Sequence, residues 1–178
     1  AIGNGSTIDQ LDGTSTVNDN QWHHIAVVKS GPSVTFYFDG IADGTASTTL
    51  TPSTVTQTSI GAGLQNNVIQ LFANASIDEL RIWNNVRTQA QIQSNMNCEV
   101  PVNSNLVAAY HFNQGVAGGS NSGVTTLIDA VGNNHPGTLT NFALSGATSN
   151  WVASVPIAAT RMYRSVASGN WSDPSTWE

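Results

Sequence analysis

Charged side chains are scarce in this sequence: they form 9% of its 178 residues, whereas about a quarter is usual for a globular chain. Basic residues are the rarest, since Lys29 is the sole lysine, and the formal net charge is -6. The chain therefore lacks the basic patch by which proteins bind nucleic acid, and an anionic membrane surface would repel it. No stretch approaches the roughly 20 apolar residues of a membrane span.

Cysteine is nearly absent as well. Cys98 stands alone, which excludes an internal disulfide and a metal-thiolate cluster. It could still pair with a residue outside this chain, but we expect a small, buried apolar side chain. Apolar residues make up 39% of the sequence, so the low charge does not indicate disorder. Ser, Thr, Asn and Gly replace the charges, and these residues suit turns and solvent-facing strand positions.

Acidic pairs with catalytic spacing are missing too. The glutamates are Glu79, Glu99 and Glu178, and none has another acid two residues away. On a strand, Asp78 and Glu79 would face opposite sides, so they could not act on one substrate together. Glycoside hydrolysis needs two carboxylates flanking one bond, and this sequence offers no such pair. We therefore do not expect an enzyme.

The histidines also form no catalytic or metal-binding pattern. His23 and His24 are adjacent, so a strand places them on opposite faces, where they cannot easily share one ion. His111 and His135 have no sequence partners for a triad, and Cys98 has no neighbouring histidine that would activate it. We expect core packing or cross-strand contacts for the His23–His24 pair.

Apolar alternation in the first third predicts a hairpin followed by an edge strand. Residues 22–29 are β-branched and aromatic, and Gly31-Pro32 is a turn signal. Residues 33–39 alternate, with an apolar row on one face. Residues 41–49 are more polar, which is typical of an edge strand.

The remainder of the chain contains more short strand patterns. These cover residues 58–64, 71–83, 106–112, 125–128, 138–142 and 150–154. One helix is predicted, over residues 88–96, because Thr88 and Gln91 can form a capping box ahead of a short apolar stripe. Short strands about 8–12 residues apart, with almost no helix, predict an all-β fold: an antiparallel β-sandwich with one short helix.

Several segments resemble a known family. Residues 18–40 (NDNQWHHIAVVKSGPSVTFYFDG) resemble the middle of a laminin-G-like domain, a jelly roll of the concanavalin A-like lectin-glucanase kind. Residues 75–84 (ASIDELRIWN) resemble its closing strands, and 86–92 (VRTQAQI) the helix after them. The stretch from residue 106 to 152 is similar to the extension that follows this module in large secreted proteins of Bacteroidota.

The resemblance also shows what this sequence does not contain. The family's opening strands normally precede the Trp-His-His strand, and residues 2–11 could supply at most one of them. We expect the others to lie in an absent N-terminal segment or to come from another chain. Half a sandwich leaves an open edge and an uncovered apolar face.

The resemblance implies a multidomain surface protein. We expect a laminin-G-like sandwich with a C-terminal extension over residues 1–155, a linker over 156–160, and the start of a further surface-protein domain over 161–178. The chain begins at Ala1 and stops within a pattern at Glu178, so we interpret it as a piece of a longer polypeptide. The resemblance therefore implies a secreted or cell-surface protein, exported by the type 9 secretion system.

The resemblance further implies a structural calcium ion. Concanavalin-like sandwiches often hold calcium with an aspartate of a final strand plus backbone carbonyls, and Asp78 matches that position. Calcium takes six to eight oxygen ligands, and the others would come from the part of the sandwich not contained here. The alternative for Asp78 is a salt bridge or a hydrogen bond within a turn.

The function implied is binding or adhesion, with a glycan or a cell-surface protein as the ligand. Sugars are often held by exposed aromatic rings, for which Tyr37, Trp83 and Trp151 are candidates, although each such residue is more often part of a core or an edge. Two alternatives remain: a structural spacer in a surface adhesin or filament, and part of a polysaccharide hydrolase whose catalytic acids lie outside this chain.

Overall fold

The structure, a computed structural model, describes residues 2–3, 8–9, 11–50, 58–65, 68–146 and 150–153. It consists mostly of antiparallel strands with one helix, so the expected all-β class with one short helix is confirmed. The strands are β1 (Ile2–Gly3), β2 (Ile8–Asp9), β3 (Ile25–Ser30), β4 (Ser33–Phe38), β5 (Ile41–Ser47), β6 (Gly63–Gln65), β7 (Val68–Gln70), β8 (Leu80–Trp83), β9 (Leu106–Tyr110), β10 (Thr126–Leu127) and β11 (Gly137–Thr138); the helix, α1, spans Gln89–Asn95.

The predicted hairpin and edge strand form one sheet in the order β3-β4-β5. A tight turn with Gly31 at a φ of 54° joins β3 to β4, a conformation that glycine adopts without strain. Paired residues of antiparallel strands share a face, so Ile25 lies beside Phe38, and Val27 beside Phe36. Among the described residues β3 pairs with β4 alone, and both Ile25 and Val27 remain exposed.

Asp43 on β5 ties the preceding segment to this sheet. Its carboxylate accepts hydrogen bonds from the main-chain N–H and the hydroxyl of both Thr14 and Ser15. The hydroxyl and amide of Ser15, followed by those of Thr14, lower the pKa of Asp43 to about 2. The carboxylate therefore stays ionised and holds residues 13–15 beside the edge strand.

A second sheet pairs β8 with β9 and carries most of the buried core. Leu106, Ala108, Ala109 and Tyr110 on β9 are all buried. Buried Ala108 and Tyr110 pack with Leu127 and Trp151, with the side chains of Ile60, Leu80, Phe112, Val124, Leu139, Phe142 and Leu144 around them. The extension after the helix therefore shares its core with the closing strand of the preceding module.

The helix prediction is confirmed in detail. Thr88 is the N-cap, and the capping box with Gln91 is complete, because each side chain bonds the other residue's main-chain N–H. Gln89 and Gln93 both donate to the carbonyl of Gly40, between β4 and β5. This seven-residue helix is therefore held by its cap and by the β4–β5 turn.

The strand predicted over 71–83 was too long, since β8 begins at Leu80. Leu71 and Glu79 adopt φ values of 56° and 49°, and this left-handed conformation interrupts an extended chain. The strand predicted at 58–64 is limited to β6, which pairs with an unforeseen strand, β7. Residues 2–11 contain two short strands, β1 and β2, where at most one was expected.

The late strands are also shorter than predicted. Strands β10 and β11 are two residues each, and residues 150–153 form no strand. Cys98 is buried, as expected of a small apolar side chain. The predicted linker and further domain, 156–160 and 161–178, lie outside the described residues. The described part of the chain holds no helix with the length and apolar character needed to cross a bilayer.

Candidate functional site

His23 lies between two aspartates just before β3. Its Nδ1 is 2.9 Å from Oδ2 of Asp39, and its Nε2 is 3.1 Å from Oδ1 of Asp19. The other carboxylate oxygen of Asp39 accepts the main-chain N–H of His24 at 2.8 Å, and the ring of His23 packs 4.4 Å from that of Phe38. The imidazole therefore joins the loop before β3 to the end of β4.

Each member of this group stabilises the charged form of the others. The hydrogen bond with Asp39, followed by that with Asp19, raises the pKa of His23. Burial alone would raise the pKa of Asp39, but the bonds from His23 and His24 lower it. The N–H of Gln21 and then His23 lower the pKa of Asp19. The result is an imidazole, favoured in its protonated form, between two carboxylates near the protein surface.

An exposed aromatic residue precedes this arrangement in the chain. Trp22 immediately precedes His23 and has 44% of its surface exposed. The carboxylates of Asp19 and Asp39 are also about half exposed. An exposed aromatic ring can stack on the apolar face of a sugar, and ionised carboxylates can accept hydrogen bonds from its hydroxyl groups. Sequence reasoning missed Trp22 because it placed this residue inside the strand, whereas β3 begins at Ile25.

The three aromatic candidates from the sequence lie in different environments. Tyr37 is half-buried on β4, where its cross-strand neighbours are the small residues Ala26 and Ala42. The guanidinium of Arg87 covers Trp83 at 4.1 Å from the ring. Trp151 is in the core, with 6% of its surface exposed, so its ring is covered by protein.

A second polar cluster lies at one end of the β8–β9 pair. Leu80 pairs with Tyr110 in the antiparallel register, so Glu79 and His111 come face to face just beyond it. Oε1 of Glu79 is 2.7 Å from Nδ1 of His111, and Oε2 accepts a bond from Arg81 at 3.1 Å. Glu99, from the segment after α1, brings a carboxylate into the same cluster.

Arg81 anchors this cluster to the chain that follows α1. Its guanidinium donates to the carbonyl oxygens of Asn95, at 2.7 Å, and Cys98, at 2.5 Å, and 9% of the side chain is exposed. Burial, and then the charge of Arg81, lower the pKa of nearby His24 and keep that imidazole neutral. Glu79, with 8% of its side chain exposed, has both oxygens engaged.

The cluster brings together acids that the sequence separates by 20 positions. One ligand atom from each of Glu79, Glu99 and His111 lies within 4.8 Å of the other two. The sequence pattern of paired acids could not reveal this grouping, because it depends on the β8–β9 register and on the course of the chain after α1. The arrangement can hold a proton or a cation between an imidazole and two carboxylates.

Asp78, the calcium candidate, lies beside the cluster and outside it. The residue precedes β8, and its Oδ1 accepts the N–H of Glu79 at 2.9 Å, a hydrogen bond of the local kind that was the alternative to calcium. The grouping of three potential ligands found in the described chain does not include Asp78. A calcium ion there would depend on main-chain carbonyls, and the site stays a prediction.

Comparison with known proteins identifies the fold. Residues 1–93 match the laminin G family model described as the concanavalin A-like lectin/glucanases superfamily. No curated protein matches the chain. Two solved structures are similar to it. One is a candidate carbohydrate-binding protein from Bacteroides ovatus, with 19% identity and a TM-score of 0.50, over 76% of this chain and 40% of that one.

The other is residues 221–444 of an S-layer domain-containing protein from Clostridium thermocellum, with 24% identity and a TM-score of 0.41, over 46% of this chain and 42% of that one. The chain thus spans about two fifths of the length of the solved structures that it matches. The matched residues 1–93 contain Trp22, His23, Tyr37 and Glu79, whereas Glu99 and His111 lie beyond them.

Proposed function

This chain belongs to the concanavalin A-like lectin/glucanases superfamily, and we propose that it is a non-catalytic binding module for a glycan, in a secreted or cell-surface protein. The observation that carries the proposal is that exposed Trp22 directly precedes His23, and that His23 is hydrogen-bonded to the ionised carboxylates of Asp19 and Asp39. The fold shared with a candidate carbohydrate-binding protein from Bacteroides ovatus is in line with it.

The proposed contacts follow ordinary sugar chemistry. The apolar face of a pyranose ring stacks on an exposed indole, and its hydroxyl groups donate to carboxylate oxygens. The hydrogen bonds of His23 fix the orientation of both aspartates, so little side-chain freedom remains to be lost on binding. Tyr37, with alanines on either side, is a second position at which a ring is accessible.

Catalysis is not part of the proposal. The glutamate pair of the polar cluster, Glu79 and Glu99, includes a residue that is bound by both Arg81 and His111. A hydrolytic nucleophile or acid needs access to the glycosidic bond, and Glu79 is buried under these contacts. The Glu99→Gln variant tests this assignment, because polysaccharide hydrolysis that depends on Glu99 would contradict it.

The binding proposal is tested on an array of bacterial and plant glycans, followed by calorimetry with the best ligand. We expect Trp22→Ala to weaken binding at least about 5-fold, since stacking on an aromatic ring contributes roughly 1–3 kcal/mol in related recognition. Phe72→Ala is the matched control, because Phe72 is an aromatic residue with 53% exposure in a different loop. The melting temperature of both variants should equal that of the wild type.

Two results would contradict the proposal. If no glycan binds, the spacer interpretation replaces it. If glycan binding is unchanged in both Trp22→Ala and Tyr37→Ala, the ligand lies elsewhere on the fold, and the site described above is wrong.

A further inference from the structure

We propose that Glu79, Glu99 and His111 form a binding site for a zinc-like divalent transition metal ion. Each residue offers one ligand atom, and the three atoms lie within 4.8 Å of one another. They come from three places in the chain: the residue before β8, the segment after α1, and the residue after β9. The site is independent of the proposed glycan surface, which uses other residues.

The ligand atoms, one imidazole nitrogen and two carboxylate oxygens, favour zinc over calcium. Zinc binds imidazole nitrogen at about 2.0–2.1 Å and carboxylate oxygen at about 2.0–2.2 Å, and three protein ligands leave one position for water. An imidazole nitrogen is a poor ligand for calcium, which prefers six or more oxygens. The site therefore differs from the calcium position expected at Asp78 both in its residues and in its metal.

Metal binding would require Glu79 and His111 to separate slightly and Glu99 to move closer to them. Nδ1 of His111 and Oε1 of Glu79 are 2.7 Å apart, at hydrogen-bonding distance. Two ligands of a tetrahedral zinc ion lie ~3.3 Å apart, given the bond lengths above. The ion would replace the shared proton and separate these two atoms by about half an ångström, while Glu99 closes toward them.

Neighbouring side chains hold Glu79 and Glu99 in fixed orientations, as a metal site requires. Oε2 of Glu79 is bound by Arg81, which is itself anchored on two main-chain carbonyls, so Oε1 remains directed at His111. Glu99 accepts a hydrogen bond from the side-chain amide of Asn113 at 3.0 Å. Such outer contacts orient metal ligands and raise affinity.

Charge and access also favour a cation. Glu79 and Glu99 carry two negative charges and Arg81 one positive charge, so the cluster is left with -1 when His111 is neutral. His111 keeps 24% of its side chain exposed, which leaves a route from solvent to the ring. A divalent ion would compensate the unbalanced carboxylate.

The other two histidine–carboxylate groups differ from this one because they do not bring three ligand atoms together. His23 also contacts two acids, but Asp39 and Asp19 lie at opposite ring nitrogens, so one ion cannot reach both through the imidazole. His135 contacts Asp129 alone at 3.2 Å. Neither forms a grouping of three convergent ligand atoms in the described chain, so both serve as internal controls.

The test uses the whole chain, purified without a histidine tag and stripped with a chelator. Co²⁺ is titrated while visible absorption is followed, and Zn²⁺ is titrated by calorimetry. We expect one ion per chain, with the intense bands of a four-coordinate cobalt site, and a higher melting temperature in zinc. His111→Ala and Glu99→Gln should each weaken zinc binding at least about 10-fold, whereas His135→Ala should not change it.

Two outcomes would contradict the proposed metal site. If zinc does not bind, or binds equally well to His111→Ala and Glu99→Gln, the assignment is wrong, and the cluster is an ion-pair network that joins β8 to β9. Both variants alter partly exposed side chains and leave the Glu79–Arg81 pair in place. Their melting temperatures without metal show whether they fold.

Discussion

The indole ring of Trp151 occupies the space that any side chain on Gly115 would need. A Cβ atom added at Gly115 would lie 2.4 Å from the ring, a distance that real Cβ contacts do not reach. The same ring packs edge-on against Phe142 at 5.2 Å and belongs to the core around β9. Position 115 is therefore restricted to glycine by the packing of the core.

The first prediction follows from this contact. Gly115→Ala forces Trp151 to shift within a packed core, and such overpacking costs about 1–3 kcal/mol. The free energy of unfolding, from urea denaturation followed by circular dichroism, measures the loss. Gly123→Ala is the matched control, because a Cβ there meets nothing within 4 Å, and it should change stability by less than ~0.5 kcal/mol. Equal stability of the two variants would contradict the packing argument.

Asp129 connects the extension to β9 from inside the core. It is 1% exposed, and its carboxylate accepts the main-chain N–H groups of Ala109 at 3.0 Å, Val131 at 2.9 Å and His135 at 3.2 Å. Burial alone would raise the pKa of Asp129, but these bonds and the ring of His135 outweigh burial and lower it. The carboxylate therefore stabilises the fold above its ordinary pKa, and this stability is lost as the pH falls through the lowered value.

The second prediction is that Asp129→Ala destabilises the chain by about 3 kcal/mol, because it leaves buried N–H groups without an acceptor. Asp129→Asn keeps one acceptor oxygen, so it should lose less stability than Asp129→Ala. His135→Ala removes a partner whose side chain is 54% exposed, and it should cost under ~1 kcal/mol. Urea denaturation at pH 7 measures all three variants. A loss in Asp129→Ala no larger than that in His135→Ala would show that the buried bonds contribute little.

Local signals made part of the fold predictable from the sequence. The β3–β4 hairpin follows from alternation and a Gly-Pro turn, and the helix follows from the Thr88–Gln91 capping box. The start of β8 was missed because Glu79 adopts a positive φ, and the identity of a glutamate does not indicate that conformation. Position in the sequence likewise could not show that Trp151 is in the core while Trp22 is exposed.

The cluster of Glu79, Glu99 and His111 could not be predicted from local sequence patterns for a different reason. Glu79 meets His111 only because Leu80 pairs with Tyr110, and a shift of one residue in that register would turn one of the two away. Register between strands so distant in sequence depends on the whole core, not on neighbouring residues. Patterns of closely spaced acids therefore do not indicate the pairing of Glu79 with Glu99.

The third prediction concerns calcium at Asp78, which the family resemblance implies. Calcium titrated by calorimetry into the chelator-stripped chain should bind and raise the melting temperature, and Asp78→Ala should abolish both effects. Glu99→Gln is the control, because Glu99 belongs to the neighbouring cluster and calcium at Asp78 should not depend on it. Absence of calcium binding by the wild type would remove the metal role and leave Asp78 as a hydrogen-bonding residue.

The fourth prediction is a pH dependence of stability from His23. Asp39 and Asp19 raise its pKa on folding, so its contribution is fully present below the unfolded value of about 6.5 and is lost as the pH rises through the folded value. Buried His24 has a lowered pKa and acts in the opposite sense, since it favours the fold when neutral. The difference in stability between the wild type and His23→Gln isolates the contribution of His23, because His24 is present in both proteins.

Melting temperatures measured from pH 5 to pH 9 test this prediction. We expect the wild type to exceed His23→Gln most at the acidic end, and the gap to narrow as His23 loses its proton. High salt should reduce the gap, because the three side chains are partly exposed and their charges are screened. A gap that stays constant across the range would mean that His23 acts by packing on Phe38 and not through its charge.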